Sequence, residues 1–250
     1  MFTVNIQKGG AMLDDTRHLI DLWDDHLDGA SNLRRIADAN LLGKPSRKRS
    51  DDVLKRILGP RFVAPGPDVV PALRELRDDP RAFREACYYE TTRDEDLLAA
   101  FAEGPVFQWY SEGRIGVTVE EVKAWLITLK VAGQLPELTD TVRTKVARGL
   151  LAALRDFGVL RGAVRKEFNT PGMSPKGFAY VAYREYEQGI SARALVESTI
   201  WRRWLLDERW VNELFTQVDR LGLLHYSRVG SAVRIDWRAA NLSEVARVAA

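Results

Sequence analysis

The chain holds one cysteine, Cys87, and three histidines among 250 residues. A single thiol excludes any intramolecular disulfide and any multi-cysteine metal cluster, and it suits a reducing cytoplasm. A membrane span needs about 20 mainly apolar residues. The best candidate, 117–135, is broken by Glu120, Glu121, Lys123 and Lys130. Residues 1–10 contain no basic segment followed by an apolar one, so no signal peptide is expected and a soluble, cytoplasmic protein is. Neither charge sign dominates, with 37 basic against 35 acidic residues and a net charge of +2. The chain has no glycine-rich phosphate loop ending in Lys-Ser/Thr, no dinucleotide fingerprint, no nucleophile elbow and no zinc-protease motif. With those motifs missing, no enzymatic activity and no cofactor are expected.

What is present is ordinary folded composition, 46% hydrophobic and 29% charged. Leu13, Leu19, Ile20, Trp23 and Leu27 recur at helical spacing over 13–27. Ser31 is placed to cap a helix through Ala39, and Ser50-Asp51-Asp52 to start another that Gly59-Pro60 closes. Helical patterns return at 70–76, 80–89, 94–103 and 119–130, without sustained strand alternation. Residues 1–135 therefore read as a helical bundle. Residues 136–250 read as a tandem winged-helix-like region, and the fold class as mainly α with short β-hairpins. There, 139–157 is a strong helix followed by Gly158-Val159-Leu160, with strands expected at 163–168 and 178–183 around the turn-rich 169–175. A second helix is expected over 211–221, followed by Gly222-Leu223-Leu224 and a hairpin turning at Val229-Gly230-Ser231. Residues 150–160 align without gaps on 214–224, so helix, glycine, apolar pair and hairpin occur twice.

Charge separates the two copies. Wound at 100° per residue, 139–157 puts Val142, Val146, Leu150, Ala153, Leu154 and Phe157 on one side. Thr141, Thr144, Lys145, Arg148 and Arg155 lie opposite, and Arg143 falls among the apolar set, where partial burial against a carboxylate is expected. From Thr141 to Lys166 the basic residues Arg143, Lys145, Arg148, Arg155, Arg161, Arg165 and Lys166 face one acid, Asp156. Threonine and arginine on one helix face with a basic wing behind suit phosphate contact and groove entry. The candidate double-stranded-DNA contacts are therefore Thr141, Thr144, Lys145, Arg148, Arg161, Arg165 and Lys166. The second helix instead exposes Asn212, Glu213, Thr216, Gln217, Asp219 and Arg220, which reads as structural or as a protein interface. Another basic cluster, Arg47, Lys48 and Arg49, opens an earlier helix and joins the candidate set. Taken singly, each of these charged residues reads better as part of a solvated face, and it is the clusters together that point to nucleic acid.

Asp14, His18, Asp21 and Asp25 form one helical stripe that resembles a metal-binding face, but ligands from a single helix do not surround an ion. His225 and Cys87 read as core or near-core residues. Trp201 and Trp204 have core spacing, although with Trp210 they interleave Arg202-Arg203 in a way that also suits base stacking.

Several segments in order resemble the BrxA family of BREX phage-defence systems. They are Ile6-Gln7-Lys8-Gly9-Gly10-Ala11, Asn40-Leu41-Leu42-Gly43-Lys44-Pro45-Ser46-Arg47-Lys48-Arg49, 56–61, the Cys87-Tyr88-Tyr89 neighbourhood, and 138–145 leading into 154–160. The family's Thr-Arg pair is split here by Val142. The resemblance implies a small helical DNA-binding protein of antiviral defence, without enzymatic activity, working beside a methyltransferase and an ATPase. The alternative is an adaptor that joins other defence subunits without touching DNA.

Overall fold

The computed structural model describes residues 1–247, so the last three residues of the expected 136–250 region lie outside it. The chain is mainly helical. In order come α1 (Ile6–Gly9), α2 (Leu13–Asp21), α3 (Gly29–Asp38), α4 (Arg47–Val53), a π-helical stretch (Leu54–Val63), α5 (Val69–Glu75), α6 (Pro80–Asp94) and α7 (Asp96–Phe101). A shorter π-helical stretch (Ala102–Val106) leads to α8 (Phe107–Ser111), β1 (Gly116–Val117), α9 (Val119–Val131) and α10 (Asp140–Asp156). Then follow β2 (Leu160–Arg161), β3 (Lys166–Phe168), α11 (Pro175–Glu187), α12 (Ala192–Val196) and a 3-10 turn (Thr199–Trp204). The last elements are α13 (Glu208–Arg220), β4 (Leu224–Val229), β5 (Ala232–Trp237) and α14 (Leu242–Arg247).

Several local expectations need correction. The 13–27 periodicity overruns α2, which stops at Asp21 because buried Asn32 ties down the following loop. Asn32 accepts from Asp24 N–H (3.0 Å) and donates to Asp24 C=O (2.8 Å). Asp28, not Ser31, caps α3, its carboxylate accepting from Ser31 N–H at 2.7 Å. Ser46 caps α4, while Ser50 is buried inside it. Gly59-Pro60 does not close that helix. Ala64 N–H reaches Gly59 C=O (2.8 Å), a five-residue step, so the chain keeps turning past the proline as a π-helix. The expected strand at 178–183 is the middle of α11, with Ser174 as N-cap and Pro175 at its first turn. Its residues 177–184 are buried all round, and an apolar run of that kind lacks the alternation that separates strand from helix.

The residues group into two compact units, each assembled from three stretches. The first takes Met1–Ala11, Glu95–Gly172 and Ser198–Val211; the second takes Met12–Asp94, Met173–Glu197 and the chain from Asn212 onward. In the first unit, α10 packs on α1 and α9, burying Val146, Leu150 and Leu154 with Val122 and Leu126. A capping box at Thr118 and Glu121 starts α9. Beside these helices lies an antiparallel sheet in the order β1-β3-β2, with Gly116 opposite Glu167 and Leu160 opposite Phe168. The two-residue strand β1 interrupts a region expected to be wholly helical. Trp201 and Trp204 are buried in this unit, as their spacing predicts.

In the second unit α6 packs on α11, and Phe215 of α13 sits edge-on to Phe178 (4.8 Å) and stacked on Tyr226 (5.1 Å). Strands β4 and β5 pair from Leu224 opposite Trp237 to Val229 opposite Ala232, closing on the two-residue loop Gly230-Ser231. That hairpin is the one expected from the sequence.

Candidate nucleic-acid interface

Thr139 caps α10 by accepting from Val142 N–H (3.3 Å), and Asp140 in the first turn complements the helix dipole. The apolar stripe then fixes which side faces the core. Val146, Ala147, Leu150, Leu151, Ala153 and Leu154 are buried, while Thr141, Lys145, Arg148 and Arg155 are exposed and Thr144 is half-buried. Arg143 is partly buried, with Asp140 3.6 Å away and its guanidinium donating to Leu138 C=O (2.8 Å). That matches its place among the apolar residues.

The basic residues divide by what engages them. Lys145, Arg148 and Arg165 make no ion pair among the described residues. Arg155 is held by Asp156 (2.6 Å), and Arg161 pairs across the hairpin with Glu167 (3.3 Å). Lys166 differs from the rest of the candidate set. It is only 9% exposed, and its ammonium donates to the carbonyls of Gly162 (2.7 Å) and Ala163. Burial first, and the charge of Arg155 second, hold that ammonium below the ordinary lysine value. It is built into the hairpin rather than displayed on it. An open cleft of about 700 Å³ separates α10 from the hairpin tip, lined by Val117, Leu151 and Ala152 together with Arg148, Val164 and Arg165.

Arg47, Lys48 and Arg49 are exposed at the start of α4, in the second unit, whereas the α10 set belongs to the first. Arg47 pairs with Asp38 (3.1 Å), while Lys48 and Arg49 make no ion pair among the described residues. Their neighbours Lys55 and Arg56 pair with Asp51 (2.9 Å) and Asp52 (3.4 Å), and Lys44 with Asp15. Much of this cluster's charge is thus neutralised locally.

On α13 the polar face is engaged by its own hairpin. Asn212 Oδ1 accepts from Arg228 (2.9 Å) and from the Tyr226 hydroxyl, Asp219 accepts from Tyr226 N–H (3.3 Å), and Gln217 donates to Glu213 (3.2 Å). His225 is exposed on β4 with Asp219 3.7 Å away, so its expected near-core position is corrected: strand alternation turns it outward. Cys87 is buried, and burial pushes its thiol well above the ordinary value.

The acidic stripe is dispersed. Asp21 is held by Arg77 (2.9 Å) and Asp25 by Arg74 (2.7 Å), and among the described residues no group of three or more His, Cys, Asp or Glu is placed to hold a metal. No described helix is long and apolar enough to cross a membrane.

Sequence reasoning missed the buried polar contacts of the second unit. Glu90 Oε1 accepts from Arg184 Nε (2.9 Å) and the Tyr180 hydroxyl (2.8 Å), and burial raises its carboxyl value. Glu85 accepts from Ser174 N–H (3.0 Å), the Ser174 hydroxyl and Arg81 (3.0 Å), and burial raises it too. The available signal was charge inside apolar runs, at Tyr88-Tyr89-Glu90-Thr91 and Val181-Ala182-Tyr183-Arg184. Buried charge of this kind requires a partner.

A model of the BrxA family matches residues 1–185, from α1 through nearly all of α11. No curated protein matches the chain.

Proposed function

Because the chain belongs to the BrxA family, and is thereby a component of a BREX phage-defence system, we propose that it is the non-enzymatic, duplex-DNA-binding member of that system. The succession β1, α9, α10, β2, β3 with strand order β1-β3-β2 supports a winged helix in the first unit, with α10 as the helix that enters the major groove. The observation that carries the reading is the pair Lys145 and Arg148, exposed on α10 with no carboxylate paired to either among the described residues. An unpaired cation on a rigid helix is available to replace the counterions around a phosphate. Arg165, also exposed and without an ion pair among the described residues, lies beyond the cleft. Contacts of Lys145 and Arg148 to phosphate carry no sequence information, so binding by α10 is tolerant of sequence. The other subunits, a methyltransferase and an ATPase among them, are its expected protein partners.

A titration of purified protein against a duplex at several salt concentrations tests this. Phosphate contacts give a log K that falls steeply with log salt, by about 0.9 per contact. The adaptor reading draws on α9, whose Ile127 (44%) and Val131 (80%) stand exposed on one face. It predicts capture of other defence subunits and no duplex binding at any salt.

A further inference from the structure

The tip of the first hairpin, residues 162–165, has a character that phosphate contact does not explain. All four residues are exposed, Val164 fully so (100%), and none is acidic. The tip is also held tightly. Gly162 has φ +89°, and a Cβ there would fall 2.1 Å from Arg165 C=O. The buried Lys166 ammonium ties the carbonyls of Gly162 and Ala163 from within. The result is a narrow, preorganised loop that presents an apolar side chain next to an unpaired arginine.

The cleft then determines where that loop falls on a duplex, taking the DNA-binding reading as its basis. A helix with its side chains is about 10–12 Å across, which the major groove (about 12 Å) admits and the minor groove (about 6 Å) does not. With α10 in the major groove, the strand bordering that groove occupies the cleft lined by Arg148 on one side and Arg165 on the other. The tip beyond the cleft therefore descends over the next groove, which is the minor one. There an A·T pair offers acceptors and a smooth floor, whereas a G·C pair raises the guanine N2 amino group into the space Val164 needs. Narrow A·T-rich minor grooves also attract arginine through their stronger negative potential.

We propose that residues 162–165 are a minor-groove reader that favours A·T pairs, with Val164 and Arg165 as the specificity-determining side chains and Lys166 as the positioning residue that shapes the loop. Inosine·cytosine pairs test this, because they carry the major-groove face of G·C and the minor-groove face of A·T. Replacing G·C by I·C throughout a bound duplex is expected to raise the affinity of the natural protein roughly fivefold. The gain should vanish in Val164→Ser/Arg165→Ala, whose positions are both exposed and whose thermal unfolding should match the natural protein. Lys166→Met should also lose the gain while leaving the salt slope unchanged; a slope smaller by about 0.9 would instead make Lys166 a phosphate contact and overturn its positioning role. Steep salt-dependent binding that ignores the I·C exchange would overturn the minor-groove assignment and leave the DNA-binding function standing. Absence of duplex binding would overturn both.

Discussion

The helix and hairpin of α10, β2 and β3 and those of α13, β4 and β5 follow one local pattern. Each helix stops at a glycine of positive φ, 85° at Gly158 and 77° at Gly222, and an apolar pair then starts the first strand. Beyond that they part. The first hairpin has two- and three-residue strands, a four-residue tip and a third strand, β1, beside it. The second is a six-residue ladder with no third strand among the described residues. The helix faces differ in how their polar groups are engaged. On α13, Asn212 and Asp219 bond to their own hairpin, while Arg220 is exposed beside these acceptors. On α10, Lys145 and Arg148 are exposed and make no ion pair among the described residues. The family match includes the first copy whole and stops before the second begins. A backbone pattern therefore tells where a helix ends and a hairpin starts, and not which of its polar groups the fold engages.

The largest effect should come from the copy built on α13. Phe215→Ala removes a fully buried ring from between Phe178 and Tyr226 and should destabilise the protein by about 3–5 kcal/mol in denaturant unfolding. Duplex affinity of the fraction that stays folded should be unchanged; a parallel loss of affinity would blur the distinction between the copies. Next in size, Lys145→Glu/Arg148→Glu should weaken duplex binding on the order of 100-fold at low salt, through two lost contacts and added repulsion. Arg220→Glu, on the α13 face that also carries Glu213 and Asp219, should change it less than about twofold by the same titration. Comparable losses from both would place the binding surface elsewhere.

A smaller effect concerns the cluster on α4. If it too meets the duplex, Arg47→Ala/Lys48→Ala/Arg49→Ala should lower the salt slope by about 1.8, not 2.7, since Arg47 is already paired with Asp38 while the other two are not. An unchanged slope in the folded variant would confine DNA contact to the α10 copy. The smallest effect is in pH. Glu85 is held above its ordinary value by burial, so between its unfolded and folded values the native state binds more protons. Its contribution is fully present below the ordinary value of 4.5 and is lost as pH rises through the window above it. Unfolding free energies of the natural protein should therefore fall across that window relative to Glu85→Gln, and a flat difference between the two would contradict the assignment.

Much of the candidate surface was readable from the sequence because α10 is amphipathic and exposed: its apolar stripe, its basic face and the half-buried Arg143 all follow from a 3.6-residue period. The second hairpin was readable because Gly230-Ser231 sits between two alternating runs. Three features were not. Lys166 looks like any basic wing residue, and only the turn geometry at Gly162 reveals that its ammonium points inward. Residues 178–183 in the middle of α11 are apolar without interruption, so the period there is silent. The grouping of α1 with α10 in one unit depends on contacts across more than a hundred residues, which local pattern does not encode.

The three-stretch composition of each unit also bears on how the protein is made. Ile6, almost wholly buried in the finished molecule, belongs to a short helix whose packing partner is α10. Ribosomes add about 5–20 residues per second, so roughly 7–30 s separate the emergence of that isoleucine from the emergence of its partner surface. During that interval α2 through α6 are already available to one another. Helices α2 through α6 can therefore pack on one another before α1 meets α10, while α11, which packs on α6, emerges later still.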